Sequence, residues 1–216
     1  MFGVIFNRFK QGFRTLSFPK GNPSFPQRFR GKPQTSVDLG ECLFNEDHQT
    51  AYTQDFRMAV SKREDLVLKG NEIKLAAALD EKTRRIFGRS LQLREVCAGS
   101  CGGCEGEIQA MGNVVFDLSR FGIQFVASPR HADGLMITGP VTKNMELALK
   151  KTYEAMPSPK IVIAVGACAI SGGPFKGSKE VHNGLEGIIP VDLYIPGCPP
   201  HPLTILDGLL RLLDRL

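Results

Sequence analysis

Four of the six cysteines have the types of neighbour and the spacing that an iron–sulfur cluster requires. Cys101 and Cys104 form a C-x₂-C pair, while Cys168 and Cys198 follow far downstream, each beside glycine or proline. Four thiolates from three separate loops are a suitable ligand set for a 4Fe–4S cluster. Glycine and proline allow the sharp turns that a bulky cluster needs and direct backbone N–H groups toward its sulfurs. We therefore predict one 4Fe–4S cluster held by these four cysteines.

A zinc site, a redox disulfide and ordinary buried cysteines are the alternatives to a cluster. A C-x₂-C pair also occurs in zinc sites and redox disulfides. Zinc knuckles usually bring a second close pair, whereas Cys168 and Cys198 are single and 30 residues apart, and a thioredoxin-like centre would not need them. Ordinary buried cysteines, which pack as small hydrophobes, remain the alternative. Cys97 is interpreted as a non-ligand, with a reserve or redox role as its alternative.

Charged residues near the cysteines have two interpretations each. Glu105 and Glu107 follow the first pair and would handle protons or contact a partner subunit, or would simply be acidic residues in the first turn of a helix, where the dipole favours them. Arg130 and His131 are expected near the end of a strand, beside the cluster, where a cation would raise its potential. An interface salt bridge is the alternative. His182 and His201 are predicted not to be ligands.

The elements that position the cysteines are predicted to form an α/β domain over residues 91–216. Alternating or apolar runs predict strands at 91–96, 121–126, 134–138, 160–165 and 191–195. Helices are predicted from 106, at 144–156 and at 205–213. This alternation implies a parallel sheet covered by helices on both faces. Each cysteine group follows a strand, and ligands of such sheets sit at the carboxyl ends of the strands, so all four cysteines are expected at one edge.

The N-terminal region is predicted to be an irregular extension in two parts, residues 1–36 and 37–90. Residues 1–17 predict an amphipathic helix that either packs on its own domain or docks on a membrane-embedded partner or the lipid interface. Its apolar residues are Phe2, Ile5, Phe6, Phe9, Phe13 and Leu16. Residues 18–36 are rich in proline and predict an extended arm that lies along a partner. Residues 37–90 are weakly patterned, with a helix expected at 71–87.

Composition and charge exclude several classes of protein. A chain of 216 residues suffices for one domain with a sizeable core, with or without an appendage. Six cysteines are too few for a disulfide-rich secreted scaffold, and no signal peptide or long apolar run is recognised. The net charge of +5 is uneven, since residues 1–37 hold seven basic residues and no acidic one. No nucleic-acid module, phosphate loop or catalytic triad is found, so nucleic acid is not expected as a partner.

Five short motifs carry a family resemblance over roughly residues 90–212. In order they are SCGGCEGEI (100–108), SPRHAD (128–133), GPVT (139–142), GACA (166–169) and IPGCPP (195–200). They resemble the small subunit of membrane-bound, energy-converting NiFe hydrogenases of the formate hydrogenlyase and hydrogenase-4 type. The same superfamily includes the B subunit of respiratory complex I. Its members in complex I carry two adjacent cysteines in the first loop, whereas Cys101 and Cys104 are separated by two glycines, the hydrogenase form.

This resemblance implies a flavodoxin-like fold and a role in electron transfer. The four cysteines would hold a 4Fe–4S cluster next to a large catalytic subunit, which would carry the nickel–iron site. Further partners would be other iron–sulfur subunits and integral membrane antiporter-like subunits, at the cytoplasmic face of the cell membrane. A hydrogenase-related or complex I-like quinone oxidoreductase is the first alternative. A structural docking subunit with a vestigial cluster is the second.

A second, weaker resemblance covers the N-terminal region. The runs FRGKP (29–33), GECLF (40–44) and TQDFRMA (53–59) resemble the polyferredoxin-like subunit of the same complexes. That subunit normally carries two four-cysteine runs, but here only Cys42 remains, with Asn45, Glu46 and His48 where others would fall. One thiol cannot hold a cluster, so residues 37–90 are interpreted as a degenerate ferredoxin-like segment kept for docking. A coincidental tail is the alternative.

Overall fold

One parallel sheet of five strands organises the computed structural model of the chain, which describes residues 2–12, 14–21, 23–45, 51–70, 72–88 and 90–216. The strands are β1 (Leu91–Cys97), β2 (Ile123–Phe125), β3 (Gly134–Thr138), β4 (Ile161–Val165) and β5 (Leu193–Ile195). Their spatial order is β2-β1-β3-β4-β5. This is the flavodoxin-like order, with its switch point between β1 and β3. The predicted fold class is confirmed.

Six α-helices accompany the sheet within the described residues. They are α1 (Phe2–Gln11), α2 (Glu81–Ile86), α3 (Gly103–Ala110), α4 (Lys143–Ala155), α5 (Gly166–Ser171) and α6 (Pro202–Leu212). Short 3₁₀ turns lie at Arg63–Leu66, Leu118–Phe121, Pro129–His131 and Gly173–Phe175. Over the same ranges, no helix combines the length and apolarity needed to cross a bilayer.

Alternate residues of the strands face two separate cores. On β4, Ile161, Ile163 and Val165 point to the core that contains α3 and α6. The intervening Val162 and Ala164 point to the core that contains α4 and α5. Strands buried on both faces are expected in a parallel sheet, which explains why these runs are continuously apolar.

The segment at residues 58–60 lies along the outer edge of β5. The N–H of Val60 donates to the carbonyl of Tyr194 at 3.0 Å, and the N–H of Tyr194 donates back at 2.9 Å. This antiparallel bridge covers β5, whose edge would otherwise expose unpaired backbone groups. Just before Val60, Ala59 is buried in the core of α6 and Met58 in the core of α5. The segment therefore belongs to both cores of the α/β domain.

The expected helix at 71–87 is wrong over most of its length. Only Glu81–Ile86 is helical. The N–H of Ala76 donates instead to the carbonyl of Ala59 at 2.8 Å, and that of Leu79 to Leu212 at 3.0 Å. Alanine has the highest helix propensity, but propensity is a weak determinant of structure, so tertiary hydrogen bonds and burial override it here.

The proline-rich arm packs on its own domain through its aromatic side chains, and its contact with a partner stays a prediction. Phe18 is buried in the α6 core, and Phe25 and Phe29 pack against that core. The rings of Phe25 and Phe29 stack with their centroids 4.1 Å apart. Prolines keep the arm extended while these aromatic side chains attach it. Phe13, Glu46 and His48 lie outside the described residues.

Candidate functional site

Cys101 and Cys104 lie between the carboxyl end of β1 and the first turn of α3. Gly102 precedes α3 with a φ of +87°, a left-handed conformation that glycine adopts without strain. Cys101 is exposed and Cys104 is buried. The helix begins at Gly103, earlier than expected, so Cys104 projects from a helical turn rather than from a loop.

Cys168 lies on α5, directly after β4, rather than in a loop. Gly166 forms the turn between them with a φ of +86°. A Cβ atom on Gly166 would lie 2.6 Å from the Sγ of Cys104, so only glycine lets these two cysteine segments approach this closely. Likewise, a Cβ atom on Gly173 would lie 2.8 Å from the Sγ of Cys168.

Cys198 follows β5 and its loop contacts both other cysteine segments. The N–H of Ala167 donates to the carbonyl of Gly197 at 2.9 Å, which joins this loop to α5. A Cβ atom on Gly103 would lie 3.6 Å from the Sγ of Cys101 and 3.7 Å from a ring carbon of Pro199. The fold thus brings the three cysteine segments together at the carboxyl edge of the sheet, as parallel-sheet topology predicts.

The four thiols also act on one another electrostatically. Burial raises the pKa of Cys104, and Cys168, Glu105, Cys198 and Cys101 raise it further. Burial and then Cys198 and Cys101 raise the pKa of Cys168 to about 11. Burial and then Cys101 also raise the pKa of Cys198. Four thiolates in this position require a compensating positive charge, which is what an iron–sulfur core provides.

The candidate donor set consists of four thiols, the side chains that hold 4Fe–4S clusters in proteins. All six cysteines are free thiols. Over the described ranges, no three His, Cys, Asp or Glu side chains are close enough together to bind one metal ion. Gly102, Gly166 and Gly197, in the three cysteine segments, all have positive φ values, which glycine adopts without strain.

Glu105 holds the first cysteine loop in place. Its carboxylate accepts hydrogen bonds from the hydroxyls of Ser100 and Thr138. The Ser100 hydroxyl in turn accepts from the N–H of Gly102 at 3.0 Å. Burial opposes ionisation of Glu105, but the hydrogen bonds from Ser100 and Thr138 prevail and lower its pKa. Sequence reasoning missed Ser100 and Thr138, because nothing in their spacing shows that they meet Glu105.

Other acidic groups near this loop are less well satisfied. Burial and then the charge of Glu105 raise the pKa of Glu95 on β1. Burial alone raises the pKa of Glu107. Glu95 Oε1 and Glu105 Oε2 are buried without a hydrogen-bond partner. Glu105 therefore fixes the first cysteine loop. Proton handling or subunit contact by Glu105 and Glu107 stays a prediction.

Arg130 and His131 do not lie beside the cysteines, which makes that expectation wrong. They form an exposed 3₁₀ turn that leads into β3. The next residues are paired with the start of β1, since the N–H of Asp133 donates to the carbonyl of Gln92 at 2.7 Å. That is the amino edge of these parallel strands, whereas the cysteines lie at the carboxyl edge.

The two remaining histidines have structural partners. His201 caps α6, and its Nδ1 accepts from the N–H of Leu203 at 3.1 Å. Its ring packs edge-on against three phenylalanines with centroids 5.3–5.9 Å away: Phe25, Phe29 and Phe116. Burial lowers the pKa of His201. The Nε2 of His182 lies 2.9 Å from a carboxylate oxygen of Glu146.

A cavity of about 240 Å³ adjoins the Cys198 loop. The N-terminal region supplies one of its walls with Arg28, Phe29, Arg30, Phe44 and Met58. The opposite wall consists of Glu107, Thr204 and residues 197–201. Sequence reasoning did not place the FRGKP run beside a candidate cysteine, because Arg30 and Cys198 are 168 positions apart in the chain.

The two other cysteines differ in surroundings. Cys97 is exposed at the end of β1, with its Sγ 3.6 Å from the hydroxyl of Ser100. Cys42 is buried, with its Sγ 3.8 Å from the hydroxyl of Tyr52. Burial and the contact with Cys42 raise the pKa of Tyr52 to about 12. Cys42 also adds to the raised pKa of Cys198, so it lies within electrostatic range of that ligand candidate.

Comparison with known proteins yields a family and several relatives. Residues 101–212 match the family model described as NADH ubiquinone oxidoreductase, 20 Kd subunit. A probable membrane-bound hydrogenase subunit, mbhJ of Pyrococcus furiosus, is 47% identical over 132 residues, which are 61% of this chain and 79% of that protein. The B subunit of NADH-quinone oxidoreductase from Bacteroides thetaiotaomicron is 48% identical over 128 residues, 58% of this chain but only 64% of that protein.

A solved structure is also similar to this chain in three dimensions. It is the membrane-bound sulfane sulfur reductase, an archaeal respiratory membrane complex, with 36% identity and a TM-score of 0.55. The match covers 63% of this chain and 75% of that one. Hydrogenase, quinone-reductase and sulfur-reductase complexes thus all contain relatives of this chain, and identity alone does not choose among them.

Proposed function

Because the chain belongs to the family of the 20 Kd subunit of NADH ubiquinone oxidoreductase, we propose that it is the electron-transfer subunit of a membrane-associated oxidoreductase complex of the NiFe-hydrogenase type. The observation that carries the proposal is the meeting of three cysteine segments at the carboxyl edge of the sheet. Relatives in membrane-bound hydrogenase and NADH-quinone oxidoreductase support the same class.

Cys101, Cys104, Cys168 and Cys198 would hold one 4Fe–4S cluster. Such a cluster, when bound, accepts and passes on single electrons. The chain supplies the thiolates, the glycine turns that allow close approach, and two buried ligands that water does not reach freely: Cys104 and Cys168. Ser100, Glu105 and Thr138 fix the loop that carries the first two thiolates.

The partners in this proposal follow from the family resemblance that the five sequence motifs carry. A large catalytic subunit would lie against the exposed Cys101 side, and other iron–sulfur subunits would exchange electrons with this one. Integral membrane antiporter-like subunits would hold the complex at the cytoplasmic face of the membrane, with this chain as a peripheral member. Relatives in membrane complexes support the association.

Substitution of each cysteine by serine tests the cluster. Cys101→Ser, Cys104→Ser, Cys168→Ser and Cys198→Ser are each expected to lower bound iron clearly below the wild-type content of about four atoms per chain, because a cluster that lacks one of its four thiolates loses at least the iron which that thiolate binds. Iron, sulfide and visible absorption are measured on anaerobically purified chain. Cys42→Ser and Cys97→Ser are the matched controls and are expected to keep full iron. Full iron in Cys168→Ser would exclude the proposed ligand set.

A second candidate is the equivalent subunit of a quinone oxidoreductase or another hydrogenase-related complex. The similarity of this chain to a chain of the sulfane sulfur reductase supports this alternative. Purification of the native complex in mild detergent decides between them. Nickel in the large subunit together with hydrogen-dependent dye reduction supports the hydrogenase type, whereas quinone reduction without nickel supports the alternative.

A further inference from the structure

Helix α1 presents large apolar side chains to solvent. Phe6 is 69% and Phe9 85% exposed, and Ile5 on the same helix is half exposed. A helix of 10 residues is about 15 Å long, which is too short to cross a bilayer but long enough to lie in its surface. We propose that α1 lies in the headgroup region of an anionic lipid bilayer and anchors this subunit there directly.

The charge around α1 matches an anionic surface. Arg8 and Lys10 lie in the last turn of the helix, and its first turn has no acidic residue. Throughout residues 1–37 there are seven basic residues and no Asp or Glu. Interfacial helices combine apolar aromatic residues with a basic polar face, and each basic residue near an anionic leaflet adds attraction. An apolar protein groove would use the phenylalanines but would not require uniform positive charge.

The chain after α1 holds the helix at a defined place on the domain. The Thr15 hydroxyl donates to the carbonyl of Val114 at 2.8 Å, and the N–H of Leu16 donates to Val115 at the same distance. The guanidinium of Arg120 donates to the carbonyls of Leu16 and Phe18 at 2.7 and 3.1 Å. Between helix and attachment, Gly12 adopts a φ of +67° with no atom near its Cβ position.

A further apolar residue lies at this attachment. Val114 is 69% exposed in the loop that receives Thr15. The attachment therefore presents an apolar side chain of the domain close to the point from which α1 extends. Because this proposal rests on the proposed function only for the membrane association of the complex, a test on the isolated chain separates the two.

Vesicle binding by the full chain, purified anaerobically, tests the proposal. Sedimentation is measured with vesicles of phosphatidylcholine alone and with equal parts of phosphatidylglycerol and phosphatidylcholine. The wild-type chain is expected to bind the anionic vesicles at least about tenfold more tightly, and salt should weaken the binding. The Phe6→Glu/Phe9→Glu chain should lose binding by about the same factor. Leu147→Glu, at an exposed leucine of α4, is the matched control and should bind like wild type.

Each result decides for or against the anchor. Equal binding to neutral and anionic vesicles, unchanged binding of Phe6→Glu/Phe9→Glu, or no binding by wild type would overturn it. So would self-association through these phenylalanines, detected by sedimentation velocity, without vesicle binding. Iron content is measured in parallel. Full iron without vesicle binding refutes the anchor alone, whereas vesicle binding without iron refutes the cluster alone.

Discussion

Gly166 allows two of the cysteine segments of the candidate site to lie close together. It turns the chain from β4 into α5 at a φ of +86°, and its missing side chain leaves space for the thiol of Cys104. Gly106, in α3, differs from it in every respect that matters, since no atom lies within 4 Å of its Cβ position and its φ is not left-handed. Alanine substitutions at Gly166 and Gly106 therefore separate an effect on the cysteine site from the general effect of replacing a glycine.

Gly166→Ala is expected to lower the free energy of unfolding by roughly 1–3 kcal/mol, because alanine is strained at this φ. It should also lower bound iron, because the new methyl group would displace Cys104. Gly106→Ala should be neutral or stabilise by about 0.5–1 kcal/mol, since alanine favours a helix. Urea unfolding and iron analysis measure both. Equal iron in the two variants would contradict the tight approach of the two cysteine segments.

At the scale of elements, a hydrogen bond joins the segment around Gly40 to helix α5. The hydroxyl of Ser171 on α5 donates to the carbonyl of Gly40 at 2.6 Å. The carboxylate of Asp38 accepts from the N–H of Gly40 at 2.8 Å and from both terminal nitrogens of Arg63. Because α5 also carries Cys168, this contact positions a candidate ligand through residues far away in the sequence.

Ser171→Ala is expected to destabilise the fold by about 1–3 kcal/mol, because it leaves the buried carbonyl of Gly40 without its donor. Iron should also be released faster to a chelator. Ser178→Ala, at an exposed serine, is the matched control and should change the free energy of unfolding by less than about 0.5 kcal/mol. Chelator release at the wild-type rate in Ser171→Ala would show that this contact does not support α5.

The start of α6 gives a prediction about pH. Burial lowers the pKa of His201, so the unfolded chain binds a proton more readily than the folded one. The free energy of unfolding is therefore highest, as far as His201 affects it, above the unfolded pKa of about 6.5. It decreases as the pH drops toward the lower folded pKa. His201→Asn keeps a capping side chain but cannot titrate. Between pH 7.5 and 5.5, its free energy of unfolding should fall less than that of wild type, as urea titrations at each pH would show. Parallel pH profiles would contradict this.

At the scale of the whole molecule, residues 1–36 divide into two parts with different roles. Ile5, Phe6 and Phe9 of helix α1 are exposed, whereas Phe18, Phe25 and Phe29 pack on the α6 core. The first part can therefore serve a partner or a membrane. The second part completes the fold and covers the side of the domain that carries His201.

Two truncations test this division. Deletion of residues 2–12 should leave the free energy of unfolding within about 1 kcal/mol of wild type, because α1 buries little on the domain. Deletion of residues 2–36 should lower it by several kcal/mol, because burial of each large apolar side chain contributes about 1.5–3 kcal/mol. Thermal and urea unfolding distinguish them. Equal stability of the two truncated chains would show that the arm only rests on the surface.

The sequence alone determined the α/β pattern, the candidate ligands and their common edge. Continuous apolar runs such as residues 161–165 predict buried parallel strands, and parallel strands bring the residues that follow them to the same edge. These signals are local, so each can be recognised before the chain is folded. The order of the strands came only from a family resemblance.

Tertiary structure decided what depends on contacts between distant residues. It placed the arm on its own domain, Arg130 and His131 at the amino edge, and Val60 along β5. It also joined Ser100, Glu105 and Thr138 into one network. None of these has a periodic signature, because a hydrogen bond between residues far apart in the chain leaves no repeat in the sequence. Spacing could therefore identify the cysteines, but only packing could show what holds them.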